Sequence, residues 1–358
     1  MKKIGILTSG GDCQGLNVAI RGLAKSLFKE FGENIEIYGI KDGYKGLIEG
    51  NYKLMERSDF SGILTVGGTI LGTSRQPFKT MQVEDENSVD KVDLMKENYK
   101  KMELDCLVIL GGNGTHKTAN LLSENGLNVV TLPKTIDNDL WGTEMTFGFH
   151  SAMDIATEVI DRVHTTATSH GRIFVVEIMG HKAGWLTLCS GIAGGADIIL
   201  IPEIPYDIDN ILNEIEERSK AGKMFTIIAM AEGALSKEES KMSKKELRDN
   251  YLTRQFPSVS YRLEHELSNR IENEIRVVVP GHIQRGGSPS PHDRFLSTRF
   301  GAAAAALIKD KKYGNMVSLK DDEIVAVPLG EVAGKLKLVP KDSGIVKSAK
   351  EIGIILGD

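Results

Sequence analysis

The segment at 132–140, LPKTIDNDL, sets a cation, a hydroxyl and two carboxylates close together: Lys134, Thr135, Asp137 and Asp139. If this stretch is extended, Asp137 and Asp139 share one side and Asn138 takes the other, because side chains alternate along a strand. Two carboxylates in one small volume can divide the work of phosphoryl transfer. One takes the proton of an attacking hydroxyl while the other helps hold a divalent metal. The same D-N-D pattern also serves ordinary turn chemistry, so its surroundings decide its weight.

Those surroundings are glycine turns and cations. GGDCQG at 10–15 and GGNGT at 111–115 each follow an apolar run and open a helical stretch. In that arrangement backbone N–H groups and a helix N-terminus face a phosphate. The first turn has the spacing of a P-loop, but Leu16 and Asn17 stand where that motif has Lys and Ser or Thr. The second is not G-x-G-x-x-G, so a dinucleotide fold gains little from it. Either turn alone serves equally well as a tight strand-to-helix corner; together they favour phosphate. Arg75 in GTSRQPF, Arg172 in SHGR, His181 and Lys182 in MGHKAGW, and Arg276, His282 and Arg285 in IRVVVPGHIQRGG place cations near glycines. Singly, each is ordinary surface charge. Two or three charged hydrogen bonds of about 1.5–3 kcal/mol each would hold a sugar phosphate firmly.

The elements that must position these residues read as α/β. KIGILTS runs through the first glycine turn into VAIRGLAKSLFKEF, whose Val18, Leu23 and Leu27 fall at helical intervals. DCLVILGG runs into NGTHKTANLLSENG, with Leu121 and Leu122 on the buried face and Gly126 ending the helix. NVVTLP, RIFVVEIM, ADIILIP, FTIIAMAEG and IRVVVPG read as further buried strands of parallel sheets with crossover helices. The Lys- and Glu-rich segment 235–251 is expected to be a solvated helix or flexible insertion. Composition does not place a domain boundary, and no repeat is evident.

Composition narrows the function classes. With 358 residues, 41% hydrophobic and 26% charged, the chain can bury a substantial core. A formal net charge of −5 offers nucleic acid no electrostatic attraction. Cys13, Cys106 and Cys189 lie far apart without C-x-x-C spacing, which argues against a disulfide framework or zinc ribbon and suits a reducing cytoplasm. The short run Ile4–Leu7 reads as a first strand rather than a signal peptide, and no apolar stretch is long enough to span a membrane.

Taken in order, GILTSGGDCQGLNVAIRG, GGTILGTSR, GGNGT, PKTIDND, TFGF, SHGR, EIMG, AEG and GHIQRGGSP followed by DR resemble the phosphofructokinases, over nearly the whole chain. The resemblance implies two doubly wound α/β domains with largely parallel sheets and helices on both faces. The donor (ATP) domain would comprise 1–148 plus 284–334, and the sugar-phosphate domain 149–283 plus 335–358. It implies ATP-dependent phosphorylation of fructose 6-phosphate at its 1-hydroxyl, with Mg2+, in a cytoplasmic homodimer or homotetramer whose sites are shared between subunits.

Carried over by position, Asp137 looks like the base, and Thr135 and Gly11 contact the transferring group. Gly11, Arg75, Gln76, Gly112, Asn113, Gly114, Thr115 and Lys134 match donor contacts. Asn113 and Asp139 match the metal positions. Thr135 and Asp137 together with Arg172, Met179, Gly180, His181, Glu232, Arg276, His282 and Arg285 match the sugar-phosphate site, with Arg172 and Arg276 reaching from a neighbouring subunit.

The chain departs from the family pattern in places. Asn113 replaces an acid that binds magnesium in many members, His181 replaces an arginine, and Gln14 replaces a proline. Arg21 matches the bacterial effector site, but Lys25 and His164 occupy other basic positions there, so weak effector control is expected. In this family the residues here numbered 114 and 134 track the donor. Gly114 keeps the space ATP needs, while Lys134 is of the pyrophosphate type. ATP is the expected donor. A pyrophosphate-dependent transferase, a weakened regulatory member and an unrelated phospholigand-binding protein are the alternatives.

Overall fold

The structure, a computed structural model, describes residues 1–81, 90–243, 245–247 and 256–358. In chain order the main elements begin β1 (Lys2–Thr8), α1 (Leu16–Phe31), β2 (Ile35–Ile40), α2 (Tyr44–Glu49), β3 (Tyr52–Met55), α3 (Lys91–Lys101), β4 (Cys106–Gly111), α4 (Asn113–Glu124) and β5 (Val129–Pro133). They continue with α5 (Phe149–His170), β6 (Ile173–Ile178), α6 (Trp185–Ala193), β7 (Ile198–Leu200), α7 (Ile208–Lys220), β8 (Thr226–Ala231), α8 (Val259–Ser268), β9 (Ile275–Val278), α9 (Pro291–Lys309), β10 (Asn315–Lys320) and β11 (Glu323–Pro328). Each apolar run read as a buried strand from the sequence is a strand, but β9 is buried only at Ile275, with Val277 and Val278 half-buried.

The chain forms two compact units, Met1–Ser151 with Arg285–Lys337, and Ala152–Gln284 with Leu338–Asp358. In the first, seven strands lie in the order β11-β10-β5-β4-β1-β2-β3. β1 pairs in parallel with both β2 and β4, in the register Ile4↔Ile37 and Ile4↔Cys106, and β4 pairs in parallel with β5. The edge strands β3 and β11 run antiparallel to their neighbours. The chain winds outward from β1 in both directions, so the winding reverses between β1 and β4. Loops at the carboxyl ends of such strands part there and leave a crevice for a ligand.

Both faces of this sheet are covered. Val18, Leu23 and Leu27 of α1 are fully buried, as the helical spacing requires, and Leu122 of α4 joins the cluster with Leu7, Leu107 and Ile109. Gly126, at φ 86°, follows the α4 cap Asn125 in the left-handed position that ends the helix. α1 crosses α9 at two glycines. A Cβ on Gly22 would come within 3.0 Å of the Thr298 carbonyl and one on Gly301 within 2.5 Å of the Ala19 carbonyl, so larger residues would push the helices apart.

The second unit has four parallel strands in the order β7-β8-β6-β9. Its core gathers Val175, Ile198, Ile228 and Met230 from the sheet with Ile211, Ile215 and Leu263 from α7 and α8. The segment expected to be solvated is partly anchored here. Glu239 is buried and takes the Arg262 guanidinium on both carboxylate oxygens, a geometry that fixes this stretch to α8. Residues 244 and 248–251 of that segment lie outside the described residues. No helix among the described residues is long and apolar enough to cross a membrane.

Candidate functional site

Three adjacent parallel strands of the first unit, β1, β4 and β5, end in GGDCQG, GGNGT and KTIDND respectively. Pairing therefore brings three separated motifs to one edge of one sheet. Gly10 (φ 86°) and Gly15 (φ 96°) make the first turn in left-handed conformations that residues with a Cβ rarely adopt. Thr73 Oγ1 donates to the Gly10 carbonyl at 2.7 Å and Gly10 N–H donates to the Ser74 carbonyl at 3.1 Å. These bonds lay the GTSRQ segment, with exposed Arg75 and half-buried Gln76, against the turn. Gln14, in the family's proline position, is fully buried and donates to the Gly286 carbonyl at 2.6 Å. Arg285 donates to the Asp12 carbonyl at 3.1 Å and packs its guanidinium so closely on Gly11 that a Cβ there would lie 2.9 Å from it.

Gly112 is the N-cap of α4 and Asn113, Gly114 and Thr115 form its first turn. The unpaired N–H groups there favour an anion. Thr115 Oγ1 donates to the Ser9 carbonyl at 3.4 Å, and the Asn113 amide donates to the Lys335 carbonyl at 2.6 Å. A Cβ on Gly114 would meet nothing within 4 Å. The space that the sequence assigned to a nucleotide is open at this residue.

Lys134 is buried, at 3% exposure, and its ammonium donates to the Gly11 carbonyl. Burial pushes its pKa down, and nearby Cys13 and Asp137 oppose that shift. The lysine thus ties the loop after β5 to the glycine turn after β1. His116, one turn into α4, is also buried, and burial holds its pKa down at about 4.

The TIDND loop differs from the extended form read from the sequence. Asn138 takes φ 48°, a left-handed conformation that costs on the order of 1 kcal/mol for a residue with a Cβ. Its side chain compensates: Oδ1 accepts from Thr146 N–H at 3.1 Å and from Lys337 Nζ at 2.9 Å, and Nδ2 donates to the Glu144 carbonyl at 3.3 Å. Strand alternation therefore does not set the two aspartates. Asp137 N–H donates to Thr135 Oγ1 at 3.0 Å, while its own Oδ1 is buried with no hydrogen-bond partner. Asp139 is 8% exposed, and its pKa is raised to about 6, first by burial and then by the charge of Asp137.

An unpartnered carboxylate oxygen beside a second carboxylate suits proton abstraction and suits a hard cation. No group of three or more His, Cys, Asp or Glu gathers as a metal site among the described residues. Magnesium commonly takes one or two carboxylates and completes its shell with water and substrate phosphates, so this donor set fits it.

In the second unit, the loops after β6, β8 and β9 carry the remaining motifs. Glu232 Oε1, just past β8, accepts the backbone N–H groups of Gly180 at 3.3 Å and His181 at 2.8 Å, and His181 sits at φ 52°. Met179 N–H donates to Gln284 Oε1 at 3.3 Å, and fully buried Gln284 donates back to the Gly281 carbonyl at 3.1 Å beside exposed His282. Met179, Gly180, His181, Glu232 and His282 are thus gathered at the carboxyl ends of the strands.

Arg172 and Arg276 are not with them. Both guanidinium groups pair with Glu274, one on each carboxylate oxygen, where Ile173 and Ile275 begin the parallel β6–β9 ladder. The length of β6, about 17 Å at ~3.3 Å per residue, separates this pair from Met179. In one copy of the unit the Arg172–Glu274–Arg276 cluster and Met179 lie at opposite ends of β6.

Sequence reasoning passed over Lys337 and Glu203, and met Gln284 only inside the GHIQRGG motif without giving it a role. Glu203 accepts Gly184 N–H at 3.0 Å and Val339 N–H at 2.9 Å, and so supports the loop that carries His181. Lys337 acts on Asn138 and Glu203 on Val339, far away in sequence, and neither stands in a motif that would have marked it.

A family model described as phosphofructokinase matches residues 3–308. The chain is 57% identical over 360 residues to an ATP-dependent 6-phosphofructokinase of Spirochaeta thermophila, covering 100% of this chain and 98% of that one. It is 48% identical to ATP-dependent 6-phosphofructokinase 3 of Bacteroides thetaiotaomicron, covering 99% and 100%. Among solved structures, a phosphofructokinase from Saccharomyces cerevisiae superposes with a TM-score of 0.76 at 30% identity. That match covers 92% of this chain and 45% of the yeast chain, so this chain spans under half of the yeast protein.

Proposed function

The chain belongs to the phosphofructokinase family, and we propose that it transfers the terminal phosphoryl group of ATP to the 1-hydroxyl of fructose 6-phosphate, giving fructose 1,6-bisphosphate in glycolysis. The observation that carries this reading is the meeting of GGDCQG, GGNGT and KTIDND at the ends of β1, β4 and β5. Phosphate-binding amides and a carboxylate with a free oxygen then share one edge of the sheet.

In this reading Asp137 Oδ1, buried and unpartnered, accepts the proton of the attacking hydroxyl. Thr135 and the Gly11 N–H contact the transferring group, where aimed donors stabilise developing charge most strongly. Lys134 holds Gly11 by its carbonyl. Arg75, Gln76 and the first turn of α4, Gly112 to Thr115, bind donor phosphates. Asp139 and Asn113 would hold Mg2+, which offsets phosphate charge. Met179, Gly180, His181, Glu232, His282 and Arg285 bind the sugar phosphate. Arg172 and Arg276, at the opposite end of their sheet, serve the site of a neighbouring copy, so the active form is a homo-oligomer in the cytoplasm.

Two observations favour ATP over pyrophosphate. The space at Gly114 is open, and the Lys134 ammonium is already engaged by Gly11. Initial rates with fructose 6-phosphate and Mg2+, offering ATP and pyrophosphate separately, test the reading. A clear preference for ATP supports it, a preference for pyrophosphate transfers donor control to Lys134, and no turnover with either rejects it.

A further inference from the structure

Residues 334–337, GKLK, lie beyond the span matched by the family model, 3–308, and in none of the named strands. They nevertheless touch two of the three loops at the site edge. The Lys335 carbonyl accepts from Asn113 in the loop after β4. Leu336 bridges Leu140 in antiparallel fashion, and Lys337 N–H donates to the Asp139 carbonyl at 2.8 Å. The Lys337 ammonium then enters the turn that follows. It donates to Asn138 Oδ1 at 2.9 Å, the Thr143 carbonyl at 3.0 Å and the Glu144 carbonyl at 2.7 Å. Those three oxygens match the three N–H donors of an ammonium.

We propose that segment 334–337 is a strap that positions the phosphoryl-transfer loop, with Lys337 as its positioning residue. Residues 138–144 wrap around the Lys337 ammonium much as a loop wraps a bound cation. The ammonium fixes the carbonyls of Thr143 and Glu144 and also the side chain of Asn138. Asn138 is the one residue between Asp137 and Asp139, and its left-handed backbone sets where each carboxylate stands. Backbone strain of this kind persists only where surrounding contacts over-determine it, and Lys337 supplies one of them. Its side-chain hydrogen bonds reach Asn138, Thr143 and Glu144, and its backbone N–H holds the Asp139 carbonyl. The same strap holds Asn113, so the donor loop and the carboxylate loop are registered to one short piece of chain.

This inference rests on the phosphofructokinase reading, and its test separates the two. Wild type, Lys337→Met, Lys337→Gln and Lys337→Arg are compared by steady-state kinetics with ATP and fructose 6-phosphate, and by amide hydrogen exchange without ligands. Loss of positioning is expected to lower kcat of Lys337→Met roughly 10- to 100-fold, because small misplacements of reacting groups cost that much. KM for fructose 6-phosphate should stay within about threefold, since uniform binding is untouched. Exchange at Thr146 N–H, which Asn138 Oδ1 accepts, should accelerate while the β1 and β4 amides stay protected. Lys337→Arg should recover part of kcat, and Lys337→Gln replaces the methionine variant should that one fail to fold. An inactive wild type rejects the underlying reading. An active wild type with kcat and Thr146 exchange unchanged in the variants overturns the strap, as does faster exchange throughout the first unit with kcat falling in proportion to folded protein.

Discussion

Gly114→Asp separates the donor assignment from stability in one substitution. Gly114 is the second residue of α4, on ordinary helical backbone, and a Cβ there meets nothing within 4 Å, so the fold accepts a side chain. Aspartate replaces a residue of poor helix propensity and adds a carboxylate to a first turn that has no acidic residue. Together these stabilise the helix by roughly 1 kcal/mol. In a unit of about 200 residues that raises Tm by roughly 2–4 °C. The same carboxylate would stand in the space proposed for the nucleotide. At about 4 Å from a phosphate, its repulsion is about 1 kcal/mol in water and about 4 kcal/mol at an effective dielectric of 20. Gly114 is exposed, so the lower part of that range applies, or roughly a ten- to thirtyfold loss in kcat/KM for ATP. Initial rates with ATP and with pyrophosphate, paired with thermal melts, read both effects. A raised Tm with kcat/KM for ATP unchanged within about twofold would refute the placement of donor beside Gly114.

Further outcomes follow from the same geometry. Asp137→Asn is expected to lower kcat by roughly 10²–10⁴ while calorimetric binding of fructose 6-phosphate persists, and near-normal turnover would remove Asp137 from the role of base. Glu232→Ala leaves the Gly180 and His181 N–H groups without their acceptor. KM for fructose 6-phosphate should rise roughly tenfold with KM for ATP unchanged, and equal effects on both substrates would contradict a sugar role. His116 stays neutral in the folded chain down to about pH 4 against an ordinary value of 6.5. Its folded pKa is depressed, so the unfolded chain takes up the proton first and stability falls as pH drops from 6.5 toward 4, by roughly 3 kcal/mol. His116→Gln should flatten the fall of Tm in that window, and an unchanged slope would assign acid sensitivity elsewhere.

Much of the architecture was legible because it is written in local patterns. The runs KIGILTS, DCLVILGG and RIFVVEIM are short, bounded by turn residues and apolar at consecutive positions, which suits strands covered on both faces. Val18, Leu23 and Leu27 follow the helical period and are buried accordingly. The solvated reading of 235–251 failed at Glu239 because its partner Arg262 lies on α8, far enough along the chain that composition gives no hint of the pairing. The extended reading of TIDND failed for a similar reason. Lys337, 199 residues from Asn138 along the chain, and Thr146, eight residues on, stabilise a conformation that the local run TIDND alone does not favour.

The sequence by itself determined which residue types are available and which are neighbours along the chain: glycine turns that bare their amides, two aspartates one residue apart, and cations beside glycines. It also determined the family, through the order of those motifs. Tertiary structure decided what meets what. Parallel pairing of β4 with β1 and β5 sets three remote motifs on one edge, and the length of β6 keeps Arg172 away from Met179. Hydrophobic periodicity is a short-range signal that each segment carries alone. A buried hydrogen bond such as that of Lys134 to Gly11 or Lys337 to Asn138 is a property of two segments, and it exists only once the sheet has brought them together.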